Sequence, residues 1–358
     1  MSLQTNEGMN GTMKAAVLYG REDLRVERVP VPTIAVDEVL LRVEVALTCG
    51  TDLKVWRNGS HARMIHPPAI FGHEMAGVVA TKGGKVSSTI REGMRVVAAN
   101  SAPCGTCFYC RRNQETLCED LLFNNGAYAE YARIPGRIVR RNLLEIPAHV
   151  SFEDAAMCEP LACVLRGVSE TAIIPGDTVA VLGCGPIGLK FVRVLAARGA
   201  RVIAVAQRPS QMEMAARFGA WKVLNAAEGD IVEEARRLSD CGRGVDAAIE
   251  AVGRPEAWEQ ALRMVRRGGV VNFFGGCPRG SKVHFDTAAI HYAEVTIKST
   301  FHHTPRFFRE ALETIGRGDV RAADFVSGAV ELDELPRWFE HMRDRKSEMK
   351  AAVRPRSA

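Results

Sequence analysis

Four cysteines, Cys104, Cys107, Cys110 and Cys118, stand in a polar stretch with two, two and seven residues between successive members. That spacing lets four thiolates converge on one ion, and a tetrahedral sulfur shell suits zinc. The first three also match the start of a bacterial iron-sulfur run. The fourth comes too late for it and is followed by Glu119 rather than proline. A closed four-sulfur shell leaves no position for water, so this zinc is expected to stabilise its loop and to do no chemistry.

A second set is spread more widely. Cys49, with Gly50, Thr51 and Asp52, follows a Val-rich strand; Gly72, His73 and Glu74 come next, with Gly77 expected to open a turn; Glu159 and Pro160 follow Cys158. One thiolate, one imidazole and one carboxylate give zinc three protein ligands and keep one position for a substrate oxygen. Taken singly, each is weak, because a cysteine is commonly a small core residue and a histidine a satisfied buried group.

The third set is Gly183, Gly185 and Gly188, with Pro186 and Ile187 between the last two. It follows a strand and opens a helix, the setting in which glycines let backbone approach a dinucleotide's pyrophosphate at a helix N-terminus. At the end of the second strand, where an acid would bind the ribose hydroxyls of NAD, the chain reads Ala204, Val205, Ala206, Gln207, Arg208, Pro209. No carboxylate stands there to repel a 2′-phosphate, and Arg208 is able to pair with one, so NADP is favoured over NAD. The other reading keeps Arg208 as a solvated helix-start residue with NAD still bound. Asp246, at the start of a later strand, is expected to be structural.

These residues need two kinds of scaffold. From Lys14 to about Arg140 the chain is β-rich, with a strand at Met13 to Tyr19 and short runs at Val39 to Val45, Gly77 to Ala80 and Arg95 to Ala99. From about Pro175, strands alternate with helices, the texture of a parallel sheet. Five strands are expected: Thr178 to Leu182, Val202 to Val205, Lys222 to Leu224, Asp246 to Ala251 and Val270 to Phe274. Between the first two, Ile187, Phe191, Val194 and Leu195 fall on one helix face. After Phe301 come a helix from Pro305 to Gly316, a strand near Phe325 to Val330 and an amphipathic segment from Leu332 to Met342. The fold class is therefore α/β.

At 358 residues the chain is expected to form about two domains. With 47% hydrophobic and 25% charged residues it reads as globular, and neither disorder nor a fibrous repeat fits. The net charge of +5 is carried by scattered pairs such as Arg111 and Arg112, so no nucleic-acid partner is expected. No apolar run reaches the ~20 residues of a membrane helix and no export signal is evident, so a cytoplasmic protein without membrane partners is expected. Ten cysteines there should be reduced thiols available to metal.

From Met13 onward the chain resembles the zinc-containing medium-chain dehydrogenase/reductase superfamily, and within it the polyol (sorbitol) and threonine dehydrogenase branch. The residues that carry the resemblance are Gly72, His73 and Glu74 with Gly77, the turn at Gly93, Arg95 and Val96, the four loop cysteines, and Glu159, Pro160 and Leu161. It implies a β-rich GroES-like catalytic domain, residues 13–164 and 303–358, a Rossmann cofactor domain, 165–302, and a flexible tail, 1–12. It also implies two zinc ions per chain. Cys49 and His73 hold the catalytic one, with Glu74 and Glu159 coordinating directly or through water; Cys158 is an alternative ligand, and Cys163 is packing. Thr51 matches the hydroxyl that begins a proton relay, which the family ends at a histidine where this chain has Lys54, so lysine or water completes it. Asp52 is placed to orient His73. His302 and His303 either line the pocket or serve in packing or at the surface. The implied activity moves a hydride between NAD(P) and a secondary alcohol such as a polyol, sugar alcohol or cyclitol, in a homodimer or homotetramer. A zinc-free quinone or enoyl reductase of the same fold, or a non-catalytic cofactor-binding protein, is the alternative, and lost ligands would mark either.

Overall fold

The central strand of the β-rich part, Val39–Leu47, alternates aliphatic residues with Arg42 and Glu44 until its last three positions, Val45, Ala46 and Leu47, are all buried. Its first three positions, Val39, Leu40 and Leu41, are buried as well, so both ends of the strand lie in the core and only Arg42 and Glu44 are partly exposed. The computed structural model describes residues 11–61, 63–344 and 350–356. Its contacts divide the chain into two units, Met1–Ala162 with His303–Ala358, and Cys163–His302. Of the expected tail, residues 1–10 lie outside the described residues. Thr12 belongs to the fold instead, because it opens the first strand and pairs with Pro30, while Gly11 accepts a hydrogen bond from Val31 N.

In the first unit the strand Thr12–Gly20 forms a hairpin with Asp23–Pro30 and pairs on its other edge with Ala69–Ile70. The larger sheet runs in the order Leu143–Glu145, Arg95–Ala98, Glu74–Lys82, Val39–Leu47, Lys350–Arg354, Val326–Glu331, with Tyr131–Ile134 also paired to the central strand. Leu41, Val43, Met75, Val79, Val96, Phe71, Tyr128 and Phe339 belong to one buried cluster. Gly77 lies inside a strand rather than in a turn: a Cβ there would come within 2.0 Å of Arg42 O, so only glycine lets the two strands close. The helix Pro305–Gly316 and the last helix, Leu335–Arg343, follow the expected segments closely.

The second unit is a parallel sheet in the order Lys222–Asn225, Arg201–Ala206, Thr178–Leu182, Val245–Glu250, Val265–Phe273, Thr296–Ser299. Counted along the chain this is 3-2-1-4-5-6, the doubly wound arrangement whose strand order reverses beside the first strand. The first strand, Thr178–Leu182, is buried at every position, as a central parallel strand should be. The sequence reading missed the sixth strand because Thr296–Ser299 is a largely exposed edge with no apolar run. Among the described residues no helix is long and apolar enough to cross a membrane.

Candidate active site

The sheet register brings together residues of the second expected set. Leu47 lies opposite Glu74 in the antiparallel pair, so residues just past the first strand meet those at the start of the second. Cys49 then caps the helix Gly50–Asn58, its Sγ accepting from Thr51 N at 3.4 Å. Donor atoms of Cys49, His73 and Glu74 all lie within 4.8 Å of one another. Lys350–Arg354 pairs on the other side of the same strand end, with Ala352 opposite Leu47.

Asp52, on the first turn of the helix, reaches His73 Nδ1 with Oδ1 at 2.8 Å, and both side chains are buried. A proton on Nδ1 held by this carboxylate leaves Nε2 as the nitrogen for a metal. Burial works against a charged imidazole here, but Asp52 and Cys49 together outweigh it and hold His73 well above its ordinary range. The hydroxyl of Tyr128 donates to the other Asp52 oxygen at 2.5 Å.

Glu74 is fully buried and is gripped by Lys350, whose Nζ lies 2.6 and 2.7 Å from its two oxygens and 2.8 Å from Thr48 O. Three donors on one ammonium are thereby used. Burial disfavours the Lys350 charge, and Glu74, Cys49 and Glu159 together more than offset this, raising it above the usual lysine range. Glu159 is the second residue of the helix Cys158–Thr171; burial pushes its carboxyl up to about 7, with His73 pulling the other way, and its donor falls in a different clustered set from that of Cys49, His73 and Glu74. Its carboxylate lies within 4.8 Å of a His303 ring nitrogen, and His303 Nε2 is 3.1 Å from the buried Asn100 Oδ1. Cys158 is fully buried with its thiol pushed up by burial, and belongs to no clustered donor set among the described residues. Thr51 is half-buried beside Cys49, whereas Lys54 is exposed. His302 lies in the second unit, where its backbone oxygen accepts from Arg166 at 3.2 Å.

The four loop cysteines also converge, with all four sulfurs within 4.8 Å of one another. Cys104 to Cys110 and Cys107 to Cys118 are each 3.9 Å. Four sulfurs about 2.3 Å from a zinc ion would stand roughly 3.8 Å apart, so the cage has the right size. The N–H groups of Thr106 and Cys107 donate to Cys104 Sγ and draw that thiol down to about 6, while burial pushes Cys110 up to about 12.

In the second unit, Gly183 sits at φ +92° after the first strand, where a Cβ would come 2.6 Å from Val252 Cγ2. A Cβ on Gly188 would come 1.7 Å from Gly183 O, so this glycine lets the helix Pro186–Ala197 pack onto the loop. Gly185 caps that helix and faces open space, the position at which a phosphate would approach backbone. Pro186 occupies the first turn, where its missing N–H costs nothing, and Ile187 follows. Gln207 is exposed and Arg208 half-buried, with Arg208 capping the helix Pro209–Arg217. Asp246 accepts from Thr178 N at 2.8 Å and from Arg266 Nε at 2.6 Å, a structural role.

The sequence reading did not single out Tyr128, Lys350 or Asn100. Lys350 carried one signal, a lone lysine at the start of an otherwise apolar Ala-Ala-Val run. Tyr128 and Asn100 carried none that separates them from ordinary core and loop residues.

Residues 35–147 match the family model described as alcohol dehydrogenase GroES-like domain, and residues 186–317 that described as zinc-binding dehydrogenase. The chain is 32% identical to a sorbitol dehydrogenase of Bacillus subtilis, over 96% of this chain and 97% of that protein. It is 31% identical to an L-threonine 3-dehydrogenase of Bacillus licheniformis, over 94% and 97% respectively. Among solved structures, a zinc-binding dehydrogenase of Sinorhizobium meliloti bound to NADP superimposes with a TM-score of 0.87 at 30% identity, over 96% of this chain and 100% of that one.

Proposed function

We infer the reaction from the premise that this chain belongs to the zinc-binding alcohol dehydrogenase family and is an NAD(P)-dependent oxidoreductase. It oxidises a secondary alcohol of the polyol, sugar-alcohol or cyclitol class, or reduces the matching ketone, with NADP favoured over NAD. The observation that carries this is the convergence of donor atoms from Cys49, His73 and Glu74, with the buried carboxyl of Glu159 near enough for His73 and Glu74 to act on its charge. The sorbitol dehydrogenase likeness supports the substrate class, and a carboxylate-rich metal pocket fits a vicinal diol. Two zinc ions per chain belong to the same reading, one in the four-cysteine cage.

The donor set fits zinc. Cys49 and His73 Nε2 would be two of its ligands, with the buried carboxyl of Glu159 the third, directly or through water. Glu74, already paired with Lys350, stands beside them and is able to exchange in. A bound ion supplies Lewis acidity toward the alcohol oxygen, which lowers the cost of removing its proton. Thr51 accepts that proton at its hydroxyl and passes it to water, since Lys54 points to solvent. Asp52 keeps the His73 ring in one tautomer and one orientation. Gly183, Gly185 and Gly188 admit the dinucleotide phosphates, and Arg208 meets a 2′-phosphate. Assembly into a dimer or tetramer completes the proposal.

A panel of polyols and simple secondary alcohols, read by nicotinamide absorbance with NADP and NAD in parallel, tests this reading. Turnover of vicinal diols with NADP is expected. Activity confined to quinones or enones, or none with any alcohol, contradicts it.

A further inference from the structure

We propose that Tyr128 is a positioning residue for the metal site, its hydroxyl locking Asp52 and through it the ring of His73. This rests on the reading of Cys49 and His73 as metal ligands. Asp52 has two carboxylate oxygens, and each is committed: Oδ1 to His73 Nδ1 at 2.8 Å and Oδ2 to the Tyr128 hydroxyl at 2.5 Å. A carboxylate held at one oxygen still swings about its Cβ–Cγ bond. Held at both, it fixes the plane in which the imidazole must lie.

Tyr128 is itself over-determined. It is fully buried, its N–H donates to Phe71 O at 2.9 Å and its carbonyl accepts from Ala16 N at 2.8 Å. Just before it, Gly126 N and Ala127 N both donate to Gly72 O, at 2.9 and 3.2 Å. The 126–128 segment is thereby fastened to the residue preceding His73, while the tyrosine hydroxyl reaches the helix that carries Asp52 and starts at Cys49. The ring packs edge-on to Phe71 and Phe339, with centroids 5.9 and 6.3 Å away. Gly72 makes room for this: at φ +86°, a Cβ there would lie 2.7 Å from two atoms of the Tyr128 ring. Gly72 is thus required by the tyrosine as well as by its own backbone. Burial, then Asp52, hold the phenol well above its ordinary range, so it remains a donor.

The test is Tyr128→Phe, which keeps the ring and its packing and removes one oxygen. Zinc-loaded wild-type and variant chains are titrated with a chromophoric chelator, and release of each ion is followed separately. The four-cysteine ion, in the same unit, reports whether the fold is intact. The weaker ion is expected to be held roughly 10- to 100-fold less tightly in Tyr128→Phe, the range for loss of an outer-shell partner, with the four-cysteine ion unchanged. In an Asp52→Ala background the same substitution should cost less than about 3-fold, because the tyrosine then has no side chain at position 52 to hold. A Tyr128→Phe chain that keeps both ions as tightly as wild type, one that loses both alike, or one whose loss is undiminished beside Asp52→Ala overturns the proposal. A wild-type chain that binds only the four-cysteine ion overturns the metal-site reading itself, and the proposal with it; that result is told apart by appearing before any substitution is made.

Discussion

The four-cysteine loop and the Cys49–His73 cluster solve the same problem of gathering metal donors in opposite ways. The loop draws its donors from fifteen residues, Cys104 to Cys118, and supports them with the N–H groups of its own turn. The other cluster spans from Cys49 to Lys350, and its geometry depends on strand register, on a helix cap and on three buried partners. A local cage of this kind would close around an ion and stabilise its loop. A site built from distant segments is able to keep one face for a substrate, at the cost of buried charges that must be paired.

The largest expected effects separate the two regions. Cys49→Ala should abolish turnover while NADPH binding, followed by fluorescence, persists; Cys104→Ala should lower stability and soluble yield while the folded fraction keeps turning over. If Cys104→Ala alone stops turnover in folded protein, the division of labour is wrong.

Next in size is Lys350→Met. It leaves the Glu74 carboxylate buried without its cation, and removal of one partner from a buried pair costs about 3–5 kcal/mol. Urea unfolding of the metal-free chain measures it, and a change under about 1 kcal/mol would mean that Glu74 finds another partner or a proton.

Arg208→Ala should weaken NADPH binding roughly 10- to 100-fold, the worth of a charge-assisted contact of about 1.5–3 kcal/mol. NADH binding should not change, and equal affinities that ignore the substitution would remove the preference for NADP.

The smallest effect is graded with pH. Glu159, pushed up to about 7, must lose its proton to hold a cation. Affinity at the Cys49–His73 site should therefore fall as pH drops below about 7, and go on rising above it while His73, held well above its ordinary range, still has a ring proton to lose. The sign for stability is the reverse: between its ordinary value and about 7 the metal-free native chain binds more protons at Glu159 than the unfolded chain, so stability falls as pH rises through that window. Glu159→Gln should flatten both trends.

Much of this was legible in the residues. The cysteine spacing shows on its face, and the glycine loop reads clearly because a buried strand precedes it and a proline-started helix follows. Cys49, His73 and the two glutamates became readable only together, since each alone resembles core. The helix that Cys49 caps was not foreseen, because Gly50–Asn58 mixes glycine, threonine and asparagine with charged residues and shows little apolar period. Lys350 left one faint signal and Tyr128 none, because backbone pairing across the chain, by a strand for Lys350 and by loop hydrogen bonds for Tyr128, places them against Glu74 and Asp52. Arg208 was visible, but whether it meets a phosphate depends on a ligand.

Metal content per chain, measured by elemental analysis on wild type and Cys49→Ala, tests the central claim most directly. Two zinc ions in the wild type and one in the variant are predicted. A wild type with a single ion, iron in place of zinc, or a variant that still carries two zinc ions would contradict it.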